Sequence, residues 1–282
     1  MIPRLFGHRG CRAAPENTLA AFRRALELGA PALELDLHRT SDGHLVVMHD
    51  ERVDRTTDGS GRIGSMTLAA VKRLKVDGGG EVPLLSEVLG LGASHLDLEV
   101  KGPERYPGIA QDIAREVRQA GMGHRVTVTS DAPRFLHEID TVLPEATTGV
   151  VFRGMPVVKR SLKLGAIVAA AELVGSFFLP VGSLARLAIG LGAGAASTLG
   201  IFQALKRREQ NQALAAGTDY LMPHWSLVDR HLVKRARADS KAVVPYTVDS
   251  PKLGKILVDW MGAHGVISNH PERFGWLQGA PG

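Results

Sequence analysis

Two carboxylates two residues apart, Glu34 and Asp36, sit in the run Ala32-Leu33-Glu34-Leu35-Asp36-Leu37. Read as a strand, this run puts both acids on one face and the leucines on the other. Neighbouring carboxylates repel each other and are costly to hold away from water unless a cation sits between them. A hard divalent ion, which takes oxygen ligands, suits that position. The competing reading is the wet face of an edge strand. The same parity recurs in His95-Leu96-Asp97-Leu98-Glu99-Val100-Lys101, where Asp97, Glu99 and Lys101 share a face. Imidazoles follow two further apolar segments: His8 after Arg4–Gly7, and His49 after Leu45–Met48.

The elements that must position these groups alternate along the chain. Leu19, Phe22, Ala25 and Leu26 have helical spacing, with Asn17 or Thr18 as N-cap, so the first segments form a βαβ unit. Helices are expected over 107–120, 133–143, 226–238 and 251–262, with a short one over Thr67–Leu74. Strands are expected at Val126–Ser130, Thr148–Phe152, Thr218–Met222, Ala242–Val248 and Gly265–Ser268. Eight strands separated by helices predict an α/β fold, a (β/α)8 TIM barrel formed by one domain over 1–282. It carries a small insertion over 51–82, after strand 2, and a hydrophobic helical hairpin over 155–205, after strand 5. In such barrels functional residues gather at the C-terminal ends of strands. His8, Glu34, Asp36, His49, Glu99 and Lys101 all fall there, which weighs against the edge-strand reading.

Composition narrows the classes. The chain has 282 residues, 44% of them hydrophobic, and one cysteine, Cys11, so no intrachain disulfide can form. No secretory leader is expected from MIPRLFGHRG, which already reads as a strand and turn. A net charge of +5 points to an anionic partner, and aromatic residues at 5% without a basic-aromatic pattern argue against nucleic acid.

The ordered set HRG (8–10), PENT (15–18), LELDL (33–37), VVMHD (46–50), DRTTDGSG (54–61) and LEVK (98–101) resembles the glycerophosphodiester phosphodiesterase family. The likeness returns in YTVD (246–249) and GVISNHP (265–271). It implies a metal-dependent barrel that cleaves a P–O bond of glycerol-linked phosphodiesters. Carried over by position, Glu34, Asp36 and Glu99 hold Ca²⁺ or Mg²⁺, His8 and His49 act as the acid/base pair, and Arg9 and Lys101 contact the phosphate. The residue types suit that chemistry. A dication and fixed cations neutralise phosphoryl oxygens, and imidazoles exchange protons near neutral pH. Attack by water and attack by the substrate's own glycerol hydroxyl both remain open. The family's usual Trp-Thr-Val-Asn is here Tyr246-Thr247-Val248-Asp249. Tyr246 is expected either as a pocket wall or as rim packing, with Trp225 as a second pocket residue.

Residues 155–205 exceed an ordinary strand-to-helix connection. From Leu164 to Leu205 the only charges are Glu172 and Arg186, and Gly190 and Gly194 have GxxxG spacing. Lys159, Arg160 and Lys163 precede the stretch and Lys206, Arg207 and Arg208 follow it, with Phe177 and Phe178 near its middle. Paired basic flanks around apolar arms predict contact with an anionic membrane surface, hence peripheral or monotopic attachment on the cytoplasmic side and a lysophospholipid or phospholipid substrate. The competing readings are a soluble helical lid or dimer contact on an enzyme of soluble glycerophosphodiesters, and an inactive lipid-binding barrel.

Overall fold

Residues 3–153 and 200–278 are described in the computed structural model. The first half follows the expected alternation: β1 (Leu5–His8), α1 (Leu19–Glu27), β2 (Ala32–Arg39), β3 (Leu45–Val47), α2 (Leu68–Val71) and α3 (Leu85–Leu89). There follow β4 (His95–Val100), α4 (Ile109–Gln119), β5 (Val126–Ser130), α5 (Pro133–Val142) and β6 (Thr147–Phe152). The second half has a helix over 200–214 (α6), then β7 (Tyr220–Pro223), α7 (Arg230–Ala238), β8 (Ala242–Val243), α8 (Pro251–Lys255) and β9 (Val266–Ser268).

The strands lie in the order β8-β7-β6-β5-β4-β2-β1-β9, with β3 antiparallel on β2. The two ends of that order are joined: His264 N donates to Val243 O (2.8 Å), Ile267 N to Pro245 O (3.0 Å) and Val248 N to Ile267 O (2.9 Å). The sheet thus curls into the expected eight-stranded barrel. Only Ala242–Val243 of the expected strand 242–248 is regular, because Pro245 has no N–H to give to a ladder.

The chain forms two compact units, Met1–Val151 with Ala216–Gly282, and Phe152–Ala215. Within the first, neighbouring parallel strands are paired so that Glu34 sits opposite His8 and Asp97, and Asp36 opposite Glu99. The alternate residues Leu33, Leu35, Leu37, Leu96 and Leu98 are fully buried on the opposite face. Below the acids, Phe6, Ala32, Val151, Tyr220, Met222, Val244 and Ile267 form one buried apolar cluster. The stretch 51–82 has its own core of Val53, Ile63, Val71 and Val76 packed on Val46 and Met48. Thr67 caps α2 as expected, accepting from Ala70 N, although the helix is shorter than Thr67–Leu74. In the second unit, α6 buries Lys206 and exposes Arg207 and Arg208. Among the described residues no helix is long and apolar enough to cross a membrane.

Candidate active site

Glu34, Asp36 and Glu99 each place a carboxylate oxygen so that the three lie within 4.8 Å of one another. Glu34 and Asp36 are buried, at 3% and 0% exposure. Two cations share the space. Lys101 Nζ is 2.6 Å from Glu99 Oε1 and 3.0 Å from Asp36 Oδ1, and Arg9 Nε is 3.2 Å from Asp36 Oδ2. Burial, with Asp36 and Glu99 adding repulsion, pushes Glu34 well above the usual carboxylate range. Asp36 has the opposite outcome: burial would raise it, but Lys101 and Arg9 together hold it well below that range. Asp97, one register step deeper, is pushed up to about 8 by burial, against a hydrogen bond from Thr129 Oγ1 at 2.8 Å.

Three ionised acids against two cations would leave one negative charge uncompensated. Asp36 Oδ1 and Arg9 Nε are both buried and are held by ion pairs whose geometry is not that of a hydrogen bond. A compact set of carboxylate oxygens from three acids, two of them buried, fits a hard divalent ion. The donor set alone does not distinguish Mg²⁺ from Ca²⁺.

The backbone is bent to serve this cluster. Arg9 and Asn17 have φ of +50° and +57°, in the left-handed region that costs non-glycine residues roughly 1–2 kcal/mol. Arg9 thereby donates its main-chain N–H to Glu34 Oε2 (2.9 Å), and Asn17 Nδ2 donates to Asp36 Oδ2 (2.9 Å). Of the three non-glycine residues with positive φ among those described, Arg9, Asn17 and Ser240, the first two touch the acids, as strain held at a functional site does. Gly10 (φ +87°) lies where a Cβ would meet the Ala21 backbone at 2.6 Å, so the turn after β1 packs against α1 only with glycine there.

The two expected histidines flank the carboxylates in different settings. His8 ends β1, its Nε2 3.9 Å from Glu34 Oε2. Its Nδ1 is 2.7 Å from Asn269 Oδ1. Asn269 Nδ2 donates to Asp249 Oδ2 (2.8 Å) and its main-chain N–H to Asp249 Oδ1 (2.9 Å). That orients the amide with its oxygen towards His8, so Nδ1 carries the proton and Nε2 keeps a lone pair. Burial first, then Arg9, pushes His8 down to about 4, so it is neutral at pH 7.

His49 is more open, with 30% of its side chain exposed, and its Nδ1 donates to Asp50 Oδ1 at 2.5 Å. Arg55, together with burial and His49 acting in opposite senses, holds Asp50 at about 2. Arg55 Nε is 2.5 Å from Asp50 Oδ2 and its Nη2 2.6 Å from Glu16 Oε1, which also accepts from Arg9 Nη1 at 3.1 Å. From the His49–Asp50 hydrogen bond, ion pairs run through Arg55, Glu16 and Arg9 to the carboxylate cluster. Beneath His49, fully buried His38 donates from Nε2 to His49 O (3.2 Å) and meets Tyr106 Oη at Nδ1 (2.8 Å).

Of the two aromatic residues expected at the pocket, Tyr246 packs against the apolar cluster and edge-on to His224, whose ring neighbours Trp225. Trp225 is 40% exposed. Lys159, Arg160, Lys163, Phe177 and Phe178 lie outside the described residues. Lys206 is 7% exposed, a poor position for a headgroup contact, whereas Arg207 and Arg208 are on the surface. Asn269, Asp249 and Glu16 act as orienting groups that the sequence does not signal, and neither does it single out His38. Asn269, Asp249, Glu16, Asn17 and Arg55 all stand in the motifs quoted above, whose spacing carries no sign of an orienting role.

Residues 8–273 match the model of the glycerophosphoryl diester phosphodiesterase family. The chain belongs to that family. A glycerophosphodiester phosphodiesterase of Bacillus subtilis is 27% identical over 285 residues, 95% of this chain and 83% of that protein. Another, from Caldanaerobacter subterraneus, is 37% identical over 161 residues, 53% of this chain, and the match spans 66% of that relative's length. A phosphodiesterase from Oleispira antarctica, solved with the product sn-glycerol-3-phosphate, has a TM-score of 0.67 at 21% identity, covering 98% of this chain and 96% of that one. A glycerophosphodiester phosphodiesterase from Thermotoga maritima has a TM-score of 0.63 at 20% identity, covering 98% and 99%. The barrel is therefore the fold of this family of phosphoric diester hydrolases.

Proposed function

We propose that the chain hydrolyses water-soluble glycerophosphodiesters to glycerol 3-phosphate and an alcohol. The observation that carries this reading is the convergence of Glu34, Asp36 and Glu99 within 4.8 Å, between two histidines whose Nδ1 atoms are both committed elsewhere. Glu34, Asp36 and Glu99 would hold one divalent ion, which when bound supplies Lewis-acid stabilisation of a phosphoryl oxygen. Arg9 and Lys101 add fixed positive charge where negative charge accumulates during displacement.

Neutral His8, with its Nε2 lone pair facing the cluster, accepts the proton of the attacking hydroxyl, whether that of water or of the substrate's glycerol. His49 delivers a proton from Nε2 to the departing alkoxide oxygen, and the Asp50 carboxylate on its far side gives the protonated ring a counter-charge. The soluble substrate is preferred to a lysophospholipid because the product-bound neighbour holds glycerol 3-phosphate. The lipid expectation rested on residues 155–205, most of which lie outside the described residues.

The test is release of glycerol 3-phosphate from glycerophosphocholine with Mg²⁺ or Ca²⁺ and with chelator, beside a lysophospholipid in anionic vesicles. Turnover of the soluble diester, lost with chelator and restored by metal, is the expected outcome. Turnover confined to the vesicle-borne lipid would overturn the substrate assignment.

A further inference from the structure

At the N-terminal ends of the strands, the rim opposite the carboxylates, a cleft of about 350 Å³ opens between β8, α7 and the segment 258–264. Arg4, Lys241 and His264 stand just before β1, β8 and β9, and Arg237 reaches in from α7. The buried side chains of Val243 and Val258 form part of its wall. We propose that this cleft binds a compact oxyanion of the phosphate or phosphomonoester class, at a site separate from the active site.

The partners of its three cations carry the argument. Several arginines elsewhere are neutralised by acids: Arg39 lies 2.8 Å from Asp112, Arg118 2.7 Å from Glu145, and Arg55 bridges Asp50 and Glu16, while Arg230 donates to the Trp260 carbonyl (3.0 Å). In the cleft the partners are main-chain carbonyls instead. Arg4 Nε donates to His264 O (3.0 Å), Arg237 Nη2 to Gly262 O (3.2 Å) and Lys241 Nζ to Thr218 O. Carbonyls orient the three groups without cancelling their charge, and each cation keeps further N–H donors. Among the described residues no carboxylate lines the cleft; Asp239 and Asp259, close in sequence, are not part of its wall. Three oriented cations against an apolar wall strengthen one another's attraction for an anion, because the wall excludes water on one side.

Free phosphomonoesters, the product of the reaction proposed above among them, and the headgroup of phosphatidic acid present the same dianion. Equilibrium dialysis of inorganic phosphate against the full chain in chelator counts bound equivalents, in wild type and in Arg237→Glu/Lys241→Glu. Any phosphate held by Arg9 and Lys101 is common to both proteins. The expected result is one saturable equivalent that the double variant loses, with affinity down by roughly tenfold or more. Arg4→Gln should weaken the same equivalent, and added salt should weaken it further. Turnover of the soluble diester by the double variant, unchanged from wild type, shows that it is folded. Equal phosphate equivalents in the two proteins would overturn the proposal. Sedimentation with phosphatidic acid vesicles but not phosphatidylcholine vesicles, competed by phosphate and lost in the double variant, assigns the site to a lipid headgroup; dialysis binding without sedimentation assigns it to a soluble phosphomonoester.

Discussion

The surroundings of His8 and of His49 solve one problem in two ways. Both rings have Nδ1 occupied and leave Nε2 for chemistry. His8 is held by a neutral amide, Asn269, at the joint where the last strand closes on the first, and is buried deeply enough to stay unprotonated. His49 is held by a carboxylate that is itself clamped by Arg55, on the more open side built from the 51–82 stretch. Burial, ahead of its partners, is what keeps His8 neutral, whereas the carboxylate beside His49 fixes that ring with Nδ1 as the donor. The contrast teaches that equivalent-looking histidines can be set for complementary tasks by their surroundings, and the mechanism proposed above gives His8 the proton to take and His49 the proton to give.

The largest expected effect comes from removing either ring. His8→Ala and His49→Ala should each lower kcat on glycerophosphocholine by about 10²–10⁴-fold, the usual worth of a positioned acid or base. A diester whose leaving group is p-nitrophenolate needs no proton on departure. On that substrate His49→Ala should recover most of its rate and His8→Ala should not. Equal defects on both substrates would break the division of labour.

A smaller effect separates the orienting groups. Asp50→Asn leaves an acceptor for His49 Nδ1 but removes the charge; a charged hydrogen bond is worth about 1.5–3 kcal/mol, so kcat should fall by roughly 10–100-fold. Asp249→Asn keeps an oxygen for the Asn269 amide and changes no charge on His8 itself, so the loss should stay within a few-fold. Steady-state kinetics on both variants at saturating substrate decides the matter. A larger loss in Asp249→Asn would show that the amide arm depends on charge after all.

The half of the site that depends on strand parity is legible in the amino-acid sequence. Glu34, Asp36, Glu99 and Lys101 follow from alternation within two strands that pair in register, and His8 and His49 from their places at strand ends. The orienting groups are not legible there, for a physical reason. Asn269 reaches His8 across 261 positions only because the barrel closes, and no local pattern encodes closure. The same limit applies to element ends. The expected helix 226–238 begins at Arg230, because Asp229 accepts from Leu232 N and caps it there, after a separate turn at Trp225–Leu227. The expected helix 251–262 loosens into a π-turn over Ile256–Trp260 after Lys255. The apolar stretch 155–205 is conspicuous in sequence, yet its basic flank includes Lys206, which is buried.

The smallest effect on turnover is expected beneath His49, where a second support can be removed without touching either ring. A carbonyl only accepts, so His38 Nε2 must carry the proton it donates to His49 O; its Nδ1 is then the acceptor for the Tyr106 hydroxyl. Burial keeps His38 below the ordinary histidine range and therefore neutral, as that arrangement requires. Tyr106→Phe leaves the buried Nδ1 without a donor, which should cost about 1–3 kcal/mol of stability, read from the denaturant midpoint at constant slope. Because Asp50 still holds His49 Nδ1, kcat should fall by no more than a few-fold while KM stays unchanged. A loss as large as that of Asp50→Asn would mean that the carbonyl tether, not the carboxylate, fixes the ring, and the contrast between the two histidines would have to be redrawn around the backbone.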